Sequence, residues 1–431
     1  MPSGKSTNVQ TFINAIICFV GSGVLGLPFA FRHVGCIGGV LGLTLITMVS
    51  LHCMYLMVDS KKALQERAIE IRDYADVGFH AFGLPGQVMV SCCILLTQTG
   101  FCIAYLIFIS ESMREVESSI SKRVWIVLCM PLLVVASWLR SLKAIAKISF
   151  FAALSISIAL FMVLAFDLQV LATGDHGDVD YGSATDFGTM KEASHHKSAD
   201  PSISPKQTEH FGRTGHLVIL NFRGIPYFFG VAVYCFEGIG MVLPVLNGMK
   251  KPSSFKAIWG GACISVSLLY IFFGLLGYAA FRGQVADVIT TNLPPFYVTN
   301  LMKVALCVGL LLTYPLMCVP VIEEVERRLG RTTDDTRWQA ASRNMLRSGF
   351  VFMTGIVAYM VPKFGVFISL VGASASAALA FVLPSLFFLK ISYSRLTALQ
   401  RSRELGCMLF GIVGGVLGTM SALSDMKEAL R

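Results

Sequence analysis

The sequence predicts an all-α polytopic membrane protein, and three observations carry that expectation. Of 431 residues, 55% are hydrophobic and only 14% charged, with a mean hydropathy of +0.68; a soluble globular domain carries about 25% charged residues. The apolar residues fall into eleven long runs, most of them long enough to span a bilayer, which takes about 20 residues. Two of those runs are interrupted at their middle by matching glycine and proline patterns. A soluble enzyme, a disordered scaffold and a nucleic-acid-binding domain are excluded by such a composition, so the net charge of +9 reads as loop charge on a membrane protein.

In chain order the runs are 9–31, 34–58, 81–110, 124–140, 147–170, 222–248, 256–281, 298–322, 345–362, 364–389 and 405–424. The third has no Asp, Glu, Lys or Arg between Asp76 and Glu111 and reads as a single tilted helix. The ninth is short between Arg347 and Lys363, which must snorkel. The N-terminus is short and polar, and the first run is far longer than a signal-peptide core. The twelve cysteines lie in or beside apolar runs and none form a CxxC pair, so neither a zinc site nor a disulfide framework is expected, and no cofactor or metal is implied.

Lys and Arg set the orientation. Lys5, Lys61, Lys62, Arg67, Arg72, Arg140, Lys143, Lys147, Lys250, Lys251 and Lys256 all fall on one side, as do Arg327, Arg328, Arg331, Arg337, Arg343, Arg347, Lys390, Arg395, Arg401 and Arg403. The short loops of the other side carry far fewer. The N-terminus is therefore expected in the cytosol and the C-terminus opposite. Residues 59–80 form a charged cytosolic connection. Residues 173–216 form a polar loop on the far side that holds His176, His195, His196, His210 and His216; a solvated loop is the expectation there, with metal capture or pH sensing as the sharper alternative.

Run one contains Gly21-Ser22-Gly23-Val24-Leu25-Gly26-Leu27-Pro28, and run six contains Glu237-Gly238-Ile239-Gly240-Met241-Val242-Leu243-Pro244. Five spans separate the starts of the two segments, so the second copy is inserted in the opposite sense. Glycine and proline let a helix unwind. Unwinding frees backbone N–H and C=O groups that need partners inside a bilayer, and a polar ligand can supply them. Half-helix N-termini attract a carboxylate, and free carbonyls attract an ammonium. A zwitterionic amino acid fits such a pair. Close helix packing through small residues is the plainer reading of either motif alone, but matched interruptions in two halves point to a transporter binding site.

The stretches "VGSGVLGLPFAFRHVG", "FFGVAVYCFEGIGMVLP", "DVITTNLP" and "LCVGLLLTYPLMCVPVIEEVERR" resemble the amino acid/auxin permease family of the amino acid-polyamine-organocation superfamily, and most closely its plant vacuolar and aromatic/neutral amino acid branch. The resemblance runs from about residue 9 to 425. It implies a LeuT-type fold with a 5+5 inverted repeat, discontinuous helices 1 and 6, and one extra helix. The organisation would be an N-terminus 1–8, a first repeat 9–172, the polar loop 173–221, a second repeat 222–390, and an eleventh helix with the C-terminus, 391–431. It also implies secondary amino acid transport, usually coupled to protons. The loop 173–216 is longer and richer in His than the family leads one to expect, and it lacks the cysteine that would pair in the animal proton-coupled branch, so no loop disulfide is expected.

Glu237 is the one acidic side chain placed near the centre of a span, and an intramembrane carboxylate is a functional candidate by default. It would couple protons or pin the broken first helix through its free N–H groups. His52, in an "LHCM" stretch that resembles the proton-coupled branch, and His33, beside Arg32, are weaker proton candidates, since histidine at a membrane face is usually interfacial. For sodium, the resemblance puts Thr313 at the place of a helix-eight hydroxyl. Ile17 stands where the sodium-coupled branch has Asn, leaving Asn14 as the nearest amide, which tilts the expectation to protons. Lys143 or Lys147 would stand in for sodium in some relatives, but they read as cytosolic-face charges here.

The broken segments 21–26 and 235–240 would hold the ligand's amino and carboxylate groups through Gly21, Ser22, Gly23, Val24, Gly26 and Gly238. Gln98, Tyr105, Tyr234, Phe236 and Tyr314 would meet its side chain. No other central charge is available, so neutral amino acids, aliphatic or aromatic, are the expected substrates. An auxin-like indole acid would leave the first-helix carbonyls unpaired. A non-transporting amino-acid sensor is the alternative of a different class, disfavoured by the short N-terminus. The family favours a vacuolar membrane over the plasma membrane.

Overall fold

The computed structural model describes residues 6–138, 142–173, 217–328, 337–361 and 363–430, with the side chains of 142–153, 327, 328 and 337–340 left undescribed. The histidine-rich loop, and the side chains of Lys143 and Lys147, lie outside the described residues.

The helices are α1 (Asn8–Phe19), α2 (Leu27–Val34), α3 (Cys36–Gln65), α4 (Tyr74–Phe82), α5 (Leu84–Val116), α6 (Lys122–Ser137) and α7 (Leu142–Thr173). After the polar loop come α8 (Ile225–Cys235), α9 (Ile239–Gly248), α10 (Phe255–Phe281), α11 (Tyr297–Arg328) and α12 (Arg337–Met360). The chain then forms α13 (Phe364–Val371), wide π-type turns over Gly372–Ser376 and Ala378–Val382, α14 (Leu383–Ser392) and α15 (Ala398–Ala429). Among the described residues eight stretches are long and apolar enough to cross a membrane, or nine if α1 and α2, bent by 47° at their break, count as one. Of the eleven runs, α6 has only 16 residues, and α12 begins among charges before its apolar part. These two pack on each other and on α5.

The centre of the protein is the pair of broken helices. Around it α5 packs on α11, α7 on α11 and α10, and α3 on α10 and α14. Helix α8 and the π turn that follows α13 cross closely because both carry glycine there: a Cβ on Gly372 would come within 1.9 Å of the Gly230 carbonyl oxygen. The far ends of the broken helices are tied together, with Ser6 N–H donating to the Gly248 carbonyl at 3.1 Å and Lys250 N–H to the Ser6 carbonyl at 3.0 Å. Helix α15 lies on the outside against α8, α13 and the π turns.

Candidate functional site

Each break has a local cause. α1 ends at Phe19, Val20 and Gly21 are extended, and a tight 3-10 turn runs from Ser22 to Gly26. Pro28 then sits in the first turn of α2, where a missing N–H costs nothing. In the second pair α8 ends at Cys235, Phe236–Gly238 are irregular, and α9 starts at Ile239. Pro244 lies inside α9 rather than at its start, so the carbonyl of Gly240, four residues earlier, has no helical donor. Both breaks thus fall where glycine and proline placed them in the sequence.

The two breaks touch. A Cβ on Gly23 would lie 2.8 Å from Tyr234 Cδ1 and 2.9 Å from Cys235 Sγ, and one on Gly238 would lie 2.7 Å from Phe19 Cε1. Glycine at both places lets the unwound segments approach. Tyr270 of α10 ties them: its hydroxyl donates to the Phe19 carbonyl at 2.6 Å and lies 3.4 Å from the Cys235 carbonyl. It therefore supplies a donor to a carbonyl that unwinding has freed. Sequence reasoning missed Tyr270, whose only signal is a phenol in the middle of an otherwise apolar run.

Several polar atoms at this centre are buried without a hydrogen-bond partner: Ser22 Oγ, Tyr234 Oη, Gln98 Oε1, Thr97 Oγ1 and Glu237 Oε2. The Ser22 and Tyr234 hydroxyls approach each other without closing a bond. Phe101 stands edge-on to Tyr234, with ring centroids 4.8 Å apart, one turn along α5 from Gln98. Tyr105, a further turn on, is buried beside Tyr234. Gly21 and Gly240 both face open space. A cavity of about 300 Å³ begins at Gly240 and opens between Asp73, Tyr74, Ser91 and Glu323 on the face that carries the N-terminus. On the opposite side the turn Ile289–Asn292 packs onto Ser22–Gly26 and closes the centre; Ile289 and Thr290 are fully buried. That plug is the "DVITTNLP" stretch singled out in the sequence.

Other expected residues are engaged elsewhere. The Tyr314 hydroxyl is bonded to Thr354 Oγ1 on α12, and Tyr314 does not join the breaks. Phe236 is packed between Phe19 and Tyr270, at 6.0 and 5.4 Å, so it fills space between helices rather than lining an opening. Val24 and Gly26 are buried, Gly26 against Ile368. Thr313 donates to its own helix at the Gly309 carbonyl, 2.8 Å, and Asn14 is exposed on α1, short of the break. His33 stacks on Tyr227 with centroids 4.4 Å apart, and its Nδ1 lies 2.9 Å from the Phe29 carbonyl. His52 is bonded through Nε2 to Glu404 of α15 at 2.9 Å, far from either break in the chain and with a partner of its own. Glu404 is fully buried and also accepts from Arg403 at 2.8 Å, while Cys407 completes a group of three possible metal-ligating residues with His52 and Glu404.

Another enclosed acid was not singled out in the sequence: Asp167 of α7 is fully buried, and among the described residues neither of its carboxyl oxygens has a hydrogen-bond partner.

Two broken helices that touch, unpaired polar atoms at them, a buried turn packed on the first break and a cavity reaching the second at Gly240 make this a polytopic membrane protein of transporter architecture. The chain belongs to the transmembrane amino acid transporter family, whose model matches residues 4–424; the family is one of transporters, not enzymes. It is 33% identical to amino acid transporter AVT3B of Arabidopsis thaliana, covering 98% of this chain and 94% of that one. It is 29% identical to amino acid transporter ANT1 of the same plant, covering 97% and 93%. Among solved structures its fold is similar to a substrate-bound, outward-open Na+-coupled sialic acid symporter (TM-score 0.54, 12% identity, 99% and 90% covered). It is also similar to Mhp1 in its inward-facing conformation (TM-score 0.53, 11% identity, 100% and 91% covered).

Proposed function

We propose that this protein is a proton-coupled secondary transporter of neutral amino acids, working by alternating access with eleven spans arranged as two inverted five-helix repeats and one extra helix. The observation that carries the reading is the set of orphaned polar atoms at the two breaks. Buried polar groups are nearly always paired, and among the described residues Ser22, Tyr234 and Glu237 at the breaks, with Thr97 and Gln98 on α5, have a side-chain atom that is not. An amino acid would satisfy them: its carboxylate at Ser22 and the N–H groups of the first break, its ammonium at freed carbonyls such as that of Gly240. Gln98, Tyr105, Tyr234 and Phe101 would face its side chain. No cationic side chain stands among these groups, which suits an uncharged substrate. The cavity of about 300 Å³ reaches the second break at Gly240 and is lined by none of these side chains, so in this reading it is the approach to the site and not the site itself.

Glu237 is the coupling carboxyl in this reading. An ionised carboxylate without a partner is very costly in an apolar medium, and the neutral acid much less so. Proton uptake and release at Glu237 would therefore track substrate and water access. The excess of Lys and Arg supports a cytosolic N-terminal face; in this reading the cavity at Gly240 opens to the cytosol and the Ile289–Asn292 turn stands on the other side. A vacuolar membrane suits it, with an acidic lumen driving export.

The test is flux of labelled alanine, proline and phenylalanine in proteoliposomes, with an imposed pH gradient and no sodium, for wild type and Glu237→Gln. Gradient-driven flux in wild type that the substitution abolishes or uncouples, with binding retained, is the expected result. Flux that needs sodium and ignores pH would replace the proton assignment with one centred on Thr313. Binding without flux would make the protein a sensor.

A further inference from the structure

Asp167 lies in α7, near the end of the helix opposite the N-terminal face. Its side chain is fully buried, and both carboxyl oxygens lack a hydrogen-bond partner. Three elements meet at it. A Cβ on Gly277 of α10 would lie 3.3 Å from Asp167 Oδ2 and 2.8 Å from Pro28 Cγ, so the carboxyl, the glycine and the first turn of α2 share one point. The neighbouring Phe166 stacks on Phe281 at 6.3 Å, closing the α7–α10 contact on one side.

The titratable and charged groups on the helices around it are occupied. On α10 the Tyr278 hydroxyl accepts from Val218 N–H at 2.9 Å, and Arg282 lies just past the helix end. On α11 Lys303 is paired with Glu115 of α5 at 2.9 Å. On α2 the cation is Arg32, four residues after Pro28 and so on the same face; its guanidinium donates to the Val285 carbonyl at 3.0 Å. None of these is bonded to Asp167.

A carboxylate left alone in an apolar site is not tolerated as the ion. A buried polar group without a partner in a native protein needs an explanation, and a functional proton is one. The place of Asp167 supplies the rest. Pro28 stands two residues beyond Gly26, so the half helix that meets Gly277 beside Asp167 continues directly from the unwound turn at the first break. A tilt of α2 about that turn would change what lies against Gly277 and the carboxyl next to it.

We infer that Asp167 is a second proton-binding carboxyl, separate from Glu237, that holds its proton while the first turn of α2 packs on α10 at Gly277, beside the carboxyl, and releases it when α2 moves away. The proton goes to water on the side opposite the N-terminus, the side toward which this end of α7 points. The inference rests on the transporter reading, and it adds a proton site that sits outside the substrate centre.

Infrared difference spectra after a pH step, on purified full-length protein in lipid, read carboxyl protonation without requiring transport. A C=O stretch of a protonated carboxyl that titrates in wild type and in Glu237→Gln, and is missing from Asp167→Asn, is expected. Asp167→Glu should restore it at a shifted frequency, which also covers the case of an Asn variant that does not fold. In flux, Asp167→Asn should keep substrate exchange and lose one step of the pH dependence of gradient-driven uptake. An Asn variant whose spectrum and pH profile superimpose on wild type overturns the inference. Failure of the parent reading looks different: wild type itself would show no gradient-driven flux, whatever the Asp167 band does.

Discussion

Two enclosed glutamates of this protein have opposite surroundings. Glu404 accepts from Arg403 through Nε and Nη2, and His52 Nε2 lies 2.9 and 3.1 Å from its two oxygens, so it joins α15 to α3. Glu237 lies at the second break with Oε2 buried and unpaired. A carboxylate with all its partners is a fastener; one whose partners are missing is held in readiness for something the protein does not itself supply. Sequence position singled out Glu237 as a proton site but gave no sign that Glu404, just outside a span, would take His52, the other proton candidate, as its partner.

The comparison breaks or holds on one pair of substitutions. Glu237→Gln keeps the shape of the side chain and removes a group with no partner for one oxygen, so gradient-driven flux should be lost while the thermal midpoint stays near that of wild type. Glu404→Gln should do the reverse. Losing the anion of a buried pair costs about 3–5 kcal/mol, and with Arg403 half-exposed a discounted loss of roughly 2–3 kcal/mol is expected. Thermal unfolding in detergent with parallel flux assays measures both. A Glu404 variant that is stable but uncoupled would dissolve the distinction.

Glycine at the meeting of the breaks comes next. Gly23→Ala would drive a methyl group to 2.8 Å from the Tyr234 ring and 2.9 Å from Cys235 Sγ. Overpacking of this kind costs about 1–3 kcal/mol, and substrate affinity should fall with it because the same contact shapes the centre. Gly21→Ala meets nothing within 4 Å and should leave stability unchanged, so the pair separates crowding from mere loss of glycine. Equal thermal midpoints for the two variants would show that the breaks do not touch as described.

The tie at Tyr270 sharpens this further. Tyr270→Phe leaves the Phe19 carbonyl without its donor, a loss of about 1–2 kcal/mol. Because the phenol holds both breaks, the variant should also exchange substrate with a changed KM, whereas Tyr314→Phe, whose hydroxyl is bonded to Thr354 and to neither break, should lose stability alone.

Much of this site was legible in the sequence because glycine and proline act locally. The break at 20–26 and the break at 236–238 follow from residues that are neighbours in the chain. What escaped was made by residues far apart. Tyr270 meets Phe19 across 251 positions, and His52 meets Glu404 across 352. No local pattern announces either contact. Asp167 could be seen as a charge in an apolar run, but its burial depends on Gly277 facing it from another helix. The aromatic residues Phe236 and Tyr314 were read as lining because composition does not tell which side of a helix faces an opening. Among the described residues α6 and α12 also show why counting spans is harder than finding the centre: α6 is too short, and α12 carries charges in its first turns.

The smallest effect belongs to the N-terminal face, where Arg395 donates to Glu66. That hydrogen bond, followed by the guanidinium charge, holds the Glu66 carboxyl below the usual glutamate range. The contribution to stability is then fully present above the unfolded-state value of about 4.3 and is lost as pH falls through the lowered folded value. Both side chains are half-exposed, so salt screens the pair and its contribution is small. Glu66→Gln should therefore lower the thermal midpoint slightly and by a constant amount from pH 8 to 5, with the two curves converging only in acid and the gap closing at high salt. Such a flat difference takes Glu66 out of the flux profile: a bend between pH 5 and 8 that survives in Glu66→Gln comes from other groups, and Glu237→Gln and Asp167→Asn measured beside it separate the enclosed acids from the histidines, while a bend that disappears with Glu66 would move the coupling out of the membrane altogether.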